Sequence, residues 1–393
     1  MRIKNSKIHF SVYIIALSFI VGFTGAWILP NLLSNLIKPI VIIMLIGEVF
    51  ILKKVRTDTY AKILFMYMIL VVICSILNGL ESVIALASFS INILYIFMII
   101  IKKYNDNEIH FLLISIKYAS LFLAIILIIS NPIIGTINSS TIYLLNVQVN
   151  KNAIAYLIAP GLYVCIQQLF GSFSGKFEDK KIRRKISIFI EMIILFYAGI
   201  YPMSRGGFLC ILAPVGIFFV NRYIEAIRKA KIKRIIEGIG LGIGAVFIIW
   251  NFIPEQYKNR LLSLENYSYS NSGMRDVLAK QAIELVQGHE LIGRGFGYYQ
   301  RVLESSYGAH NCFVDMYVNA GIIGGVGMII IFVYPIIKCK NIISYSWISI
   351  AFVAAFFESQ MSYQLWLPLA MGWLIWKVER ERNKIVLKKE AYE

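Results

Sequence analysis

Charge is what this chain has least of. Asp, Glu, Lys and Arg make up only 16% of its 393 residues against 58% hydrophobic residues, and the mean hydropathy is +0.70. So little charge cannot cover a soluble domain, and a polytopic integral membrane protein is expected instead. Cysteine offers no framework either. Cys74, Cys165, Cys210, Cys312 and Cys339 stand singly, with no CxxC and no Cys/His grouping, so no disulfide or zinc site is implied and all five read as packing residues.

Long apolar runs are what the chain does have. Runs of about 17–25 residues, each enough to cross a hydrocarbon core of about 30 Å, recur about twelve times. They fall near 10–29, 36–52, 60–77, 83–101, 110–130, 152–169, 186–203, 206–220, 235–253, 314–337, 343–358 and 363–376. The fold class expected is all-α, a single polytopic domain over 1–393. The start, Met1-Arg2-Ile3-Lys4-Asn5-Ser6-Lys7 before an apolar run, resembles a signal peptide with Gly25-Ala26 imitating a cleavage site, but an uncleaved first span is the favoured reading. Lys and Arg collect at 53–56, 102–103, 176–185, 222–234, 338–340 and in the C-terminal tail, which places those segments and both termini in the cytoplasm. The net charge of +17 is then mostly a topology signal, and no nucleic acid need be invoked.

Ionisable side chains within the apolar runs are costly and are functional candidates by default. They are Lys38, Glu48, Lys117, Glu191, Asp315 and Glu358. Lys117 and Glu191 both lie on the cytoplasmic half of their spans, and a structural ion pair between two helices is expected there. Lys38, Glu48 and Asp315 lie near enough to an interface to snorkel or to face a wet cavity. The polar segment 131–150 is expected to rest at the interface through Ile142-Tyr143-Leu144-Leu145, and Asn150 to cap the helix that follows.

The longest polar interruption is 254–311, a large extracytoplasmic loop in which six Lys and Arg balance six Asp and Glu. Attraction of an anion must therefore come from individual arginines and not from a general field. Met274, Val277, Leu278, Ile283 and Val286 recur at helical spacing, with Asn271 or Ser272 as cap, Gly288 as stop and Arg275 in the first turn. There an arginine and the free amide N–H groups of a helix start face the same anion, although interfacial packing explains the pattern equally well. Gly293-Arg294-Gly295-Phe296-Gly297 follows no strand and is not a dinucleotide fingerprint. It lets backbone approach a sugar or phosphate, or it reverses the chain between two surface helices, the second over 298–306. His310-Asn311 stands where the loop meets the membrane. Histidine there is a proton acceptor near neutral pH, a cap or an anchor, and Asn311 orients it or caps the next helix. Upstream, Ser204-Arg205-Gly206-Gly207 turns abruptly into a span, and an arginine in so short an outer turn is a ligand for an anion or a snorkelling headgroup contact.

In order and spacing, Ser204-Arg205-Gly206-Gly207, Gly273-Met274-Arg275, Gly293-Arg294-Gly295-Phe296-Gly297, Ala309-His310-Asn311 and Gly321-Ile322-Ile323-Gly324 resemble the O-antigen ligase and Wzy polymerase superfamily over about residues 150–340. The pattern departs from the family at Ala279, where an aromatic residue often stands, and at Glu290-Leu291-Ile292-Gly293, which lacks the usual proline. The resemblance implies a GT-C-like, inverting, metal-independent glycosyltransferase without cofactor, in the cytoplasmic membrane of a bacterium and acting on its outer face. Its donor would be a glycan on undecaprenyl diphosphate. Arg205 and Arg275 would grip the diphosphate and His310 would deprotonate the acceptor hydroxyl. Ser204, Arg294, Gly295, Gly297 and Asn311 would line the substrate.

Partners implied are these lipid-linked glycans, membrane lipid and a chain-length regulator protein. The acid-free turn Pro30-Asn31-Leu32-Leu33-Ser34-Asn35 agrees with metal independence, since metal-dependent enzymes of this kind hold a hard cation through an acidic pair in the first outer loop. A repeat-unit polymerase is favoured over a ligase that transfers finished glycan. A twelve-span flippase or transporter would show inverted repeats and a charged midplane site, and no repeat is evident.

The charge asymmetry generates the first test. Reporters fused at Gly175 and at Ser268 should read opposite sides of the membrane, and the same side for both would overturn the topology.

Overall fold

The computed structural model describes residues 8–24, 31–51, 58–80, 82–131, 142–145, 147–170, 182–202, 204–228, 251, 255, 258–259, 275–302, 309–357 and 363–390. It is an all-α polytopic membrane protein. The helices are α1 (Phe10–Thr24), α2 (Asn31–Ile46) continued by a π turn (Gly47–Ile51), α3 (Thr59–Leu77), α4 (Val83–Ile101), α5 (Asp106–Ser130), α6 (Lys151–Phe170), α7 (Ile182–Ile200), α8 (Arg205–Arg228), α9 (Arg275–Leu285), α10 (Tyr298–Val302), α11 (Cys312–Lys338), α12 (Ile342–Ala355) and α13 (Tyr363–Glu390). Eleven of the expected spans fall on these helices, and the run 235–253 lies, apart from 251, outside the described residues. Among the described residues α3, α4, α5, α6, α8 and α11 are each long and apolar enough to cross a bilayer, while α1 and α12 are shorter apolar helices.

One departure from an all-helical chain is a small antiparallel hairpin, β1 (Ile142–Leu144) with β2 (Val147–Val149), where an interfacial segment was expected. Its strands alternate Ile142 in, Tyr143 out and Leu144 in. Asn131 at the end of α5 clamps it, its amide donating to Tyr143 O at 2.7 Å. At the next boundary Asn150 Oδ1 accepts the Asn152 N–H at 2.9 Å, the side-chain cap that the sequence suggests.

α6 is the centre of the bundle. Of its spanning window 89% is buried, against 28% for α8, and it packs against α5, α7, α8 and α12. Close approach is set by small residues, as expected where lipid removes the hydrophobic drive between helices. A Cβ on Gly161 would fall 2.6 Å from Ser120 Oγ, and that hydroxyl donates to Leu157 O at 2.7 Å. All five cysteines are free and buried.

The described residues of the connections 78–82, 131–150 and 201–204 lie at one end of the bundle together with 275–302 and 309–311, here the loop end. The starts of α3, α5 and α7 lie at the far end. Charge collects there and is paired. Lys102 Nζ meets Glu48 at 2.6 Å, Lys117 Nζ meets Glu191 at 2.6 Å, and Glu108 takes His9 at 2.6 Å. Lys38 does not snorkel to the surface; its ammonium donates to Asn92 Oδ1 at 2.6 Å.

Asp58 makes the densest of these ties. It caps α3 by accepting Ala61 N–H at 2.8 Å, and its other oxygen takes Trp373 Nε1 at 3.0 Å and Lys377 Nζ at 3.1 Å from α13. Removing one partner of a buried pair strands the other charge, at roughly 3–5 kcal/mol. Asp58→Ala should therefore lower the apparent unfolding midpoint in detergent well below wild type, with Asp58→Asn in between because it retains the cap. An unchanged midpoint for Asp58→Ala would show that the tie contributes nothing.

Candidate active site

The first candidate segment is the turn between α7 and α8. Ser204 is buried, donates its hydroxyl to Asn152 Oδ1 at 2.6 Å and accepts the Gly207 N–H at 3.0 Å, so it caps α8 and fastens that cap to α6. Gly207 lies against Ala155, and a Cβ on Gly206 would fall 2.9 Å from the Phe357 ring. The two glycines are there because helix and ring approach too closely for a side chain. Arg205, half-buried, is thereby fixed as the first residue of α8.

The second segment begins with α9. Arg275 opens it, as expected; the arginine's side chain and the cap at 271–272 lie outside the described residues. The buried face is made by Leu278, Ala282, Leu285 and Val286, which pack with Tyr299, Ala309 and Val318. Ile283 points outward at 51% exposure, so the expected face is rotated: Ala282, too small to stand out in the sequence, takes the inner position. Gly288, at φ 76, reverses the chain after the helix.

Arg294 closes α9 from behind. Its Nε donates to Leu285 O at 2.8 Å and its Nη2 to Gln287 O at 3.1 Å, while the guanidinium lies over the Tyr298 ring at 5.3 Å. A cation on the last carbonyls is the partner a helix C-terminus favours. The fork expected to meet substrate is occupied with holding this loop together. The carboxylate of Glu290, whose pKa is lowered by the Gly288 N–H that it accepts at 2.9 Å, stiffens the same turn.

The glycine run docks onto a break in α11. Ala320 (φ −140, ψ 22) and Gly321 (φ 60, ψ −150) leave the helical region, which strips partners from the nearby peptide groups. The loop supplies them: Arg294 N–H donates to Val318 O at 2.7 Å, Gly295 N–H to Asn319 O at 3.0 Å, and Ile322 N–H donates to Glu290 O at 2.7 Å. A Cβ on Gly293 would lie 2.5 Å from Val318 O, and one on Gly297 2.5 Å from Ser82 Cβ. Asn78 Nδ2, donating to Ile292 O at 3.0 Å, ties the loop to the end of α3, and Phe296 packs on Phe89 at 5.1 Å. The Gly293 to Gly297 run and Gly321-Ile322-Ile323-Gly324 are thus two halves of one joint. Nothing in their spacing revealed that Asn78 would be part of it.

The third segment presents His310. Asn311 caps α11, its Oδ1 accepting from Phe313 N at 3.0 Å and Val314 N at 3.3 Å, and Ala309 is buried with its N–H given to Asp315 Oδ1 at 2.7 Å. Held on both sides, His310 takes φ 53, a conformation uncommon for a non-glycine residue although histidine is among those that adopt it more often. Burial, and then Asp315, push the phenol of the nearby Tyr299 up to about 12. Histidine is a residue type that can exchange a proton near pH 7.

These segments share walls. Phe357 bears on Gly206 beside Arg205, and its neighbour Phe356 packs at a tilt against Phe313 of α11, with ring centroids 5.3 Å apart. Leu278, one turn beyond Arg275, packs in the cluster that contains Ala309, and its carbonyl accepts Tyr299 Oη at 3.3 Å. Arg205, Arg275 and His310 therefore stand at the amino ends of α8, α9 and α11, all at the loop end. Phe356 and Phe357 were not among the sequence candidates, because two aromatics at the end of an apolar run carry no signal. Among the described residues no group of three His, Cys, Asp or Glu side chains forms a metal site.

Among the described residues, six helices are long and apolar enough to cross a membrane, as in an integral membrane protein. Residues 190–329 match the family model described as O-antigen ligase. That stretch, which contains all three candidate segments, is similar to the O-antigen ligase/Wzy superfamily, whose members are glycosyl-transferring enzymes of membrane polysaccharide synthesis. Comparison with curated proteins and with solved structures gave no match.

The geometry of Arg294 makes a specific prediction. Arg294→Ala should loosen the loop by about 2 kcal/mol, the scale of charged hydrogen bonds lost, and limited proteolysis within 275–302 should speed up accordingly. Unchanged proteolysis with lost donor binding would instead assign the side chain to substrate.

Proposed function

We propose that this protein joins oligosaccharide repeat units carried on undecaprenyl diphosphate into a capsular, exopolysaccharide or O-antigen chain on the outer face of the cytoplasmic membrane. The observation that carries the reading is the position of Arg205 and Arg275, each the first residue of a helix at the loop end, with His310 one residue before the cap of a third. A helix start offers unpaired N–H groups and the positive end of its dipole, and a guanidinium added there forms a bidentate seat for phosphate oxygens.

The acceptor hydroxyl oxygen attacks the anomeric carbon from the face opposite the diphosphate, with inversion. His310 takes the hydroxyl proton as the new bond forms. The bond to the diphosphate breaks with its electron pair leaving on the phosphate oxygen, where Arg205 and Arg275 balance the growing charge. Two fixed cations then do for the leaving group what a metal ion does elsewhere, and no metal is needed. A second reading, transfer of finished glycan to a different acceptor, is favoured by the family's description as O-antigen ligase; the residues and steps are the same and only the acceptor changes.

His310 is the point at which the mechanism is tested. His310→Ala should insert normally, keep donor affinity and lose turnover by about 10²–10⁴-fold, with single repeat units accumulating on the carrier lipid. His310→Gln keeps a hydrogen-bonding group but accepts no proton near neutral pH. Near-normal chain formation by the Gln variant, at matched membrane abundance, would make His310 an anchor and refute the proton transfer.

A further inference from the structure

Asp315 is a buried carboxyl group to which the mechanism gives no part. It stands in the first turn of α11 at 7% exposure, so it neither snorkels to the interface nor faces a wet cavity. An acid in a first turn ordinarily serves the helix, through its dipole or its free amides. Here the cap is made by another residue, since Asn311 Oδ1 takes the N–H groups of Phe313 and Val314. The Asp315 side chain reaches back past that cap, and its Oδ1 accepts the Ala309 N–H at 2.7 Å, six residues upstream. Its Oδ2 is buried and, among the described residues, has no hydrogen-bond partner. A carboxyl group with one oxygen left over is a costly way to satisfy a single peptide N–H, so stability alone does not account for its place.

The bond it makes falls beside the candidate base. Ala309 is 1% exposed and packs with Tyr299 and Val318. Val318, one turn further along α11 than Asp315, gives its carbonyl to the Arg294 N–H in the joint with the glycine loop. The chain just ahead of His310 is thereby tied to the same stretch of helix as that loop, and the Asn311 cap fixes the chain just behind it. Between these two points His310 holds φ 53. We propose that Asp315 is the positioning residue for His310, holding Ala309 so that the imidazole leaves the backbone in one direction. The proposal rests on the proton transfer assigned to His310 above. Asp315 acts through the Ala309 backbone; a base whose carrier peptide is free to turn loses rate even where substrate still binds.

The test combines histidine NMR with kinetics on the full chain in lipid nanodiscs. The chain has four histidines, and the ring signal that disappears in His310→Gln identifies His310. Asp315→Ala should shift or split that signal and lower kcat at least about tenfold, with donor KM unchanged. Asp315→Ser, one bond too short to reach Ala309 but still polar, should do the same and guards against an Ala variant that fails to fold. Asp315→Asn keeps an oxygen for the Ala309 N–H and should restore a single signal and most of the rate. Asp58→Ala, destabilised at the far end, is the control. An equal loss of kcat per folded molecule in that control would reduce Asp315 to general stability. An unmoved His310 signal in both Asp315→Ala and Asp315→Ser would overturn the proposal, and equal loss in Asp315→Asn would overturn the role of the Ala309 bond. A moved signal with unchanged kcat would leave the positioning intact and overturn instead the proton transfer by His310.

Discussion

The loop end depends on one backbone constraint: a helix broken inside a membrane protein must have its freed peptide groups satisfied by protein. At Ala320 and Gly321 the α11 ladder is interrupted, and the loop 290–295 completes it with hydrogen bonds in both directions. The helix needs the loop for its orphaned carbonyls at Val318 and Asn319, and the loop, which has no long helix of its own, needs a fixed edge to pair with. Once they are joined, α9 is laid along α11 and Arg294 is brought behind α9.

From that joint follows a division of labour among residues that look alike in the sequence. Arginines 205, 275 and 294 are all in polar turns at one end, yet Arg294 is bound by two main-chain carbonyls, whereas Arg205 and Arg275 open helices. Serine 204 and Asn311 serve the same purpose in two places, each capping the helix that carries the neighbouring candidate residue. The polar residues beside a reactive group are here mostly the means by which it is held.

Much of this was legible in the chain. The apolar runs located eleven helices, the Lys117–Glu191 pair followed from two charges at matching depths, and the order of the Arg, Gly and His-Asn motifs pointed to the family. What stayed hidden was tertiary. Alternating glycines announce close backbone approach but do not say to what, and here the neighbours lie well along the chain, at Val318, Asn319 and Gly321. The inner face of α9 was misjudged at Ile283 because periodicity counts large side chains, and the packing position belongs to Ala282. The hairpin at 142–149 was missed because two three-residue strands are too short to show a period above the apolar background.

The joint also fixes a height. It lies nine residues inside α11, which at 1.5 Å per residue is about 13 Å below the helix start, so the loop descends beside the helix instead of resting on top of it. His310, at the upper rim of that same helix, is then referenced to a point within the protein body and not to the lipid surface. Bilayers of different thickness, or a longer outer loop elsewhere in the chain, would leave the vertical offset between this histidine and the α11 joint unchanged.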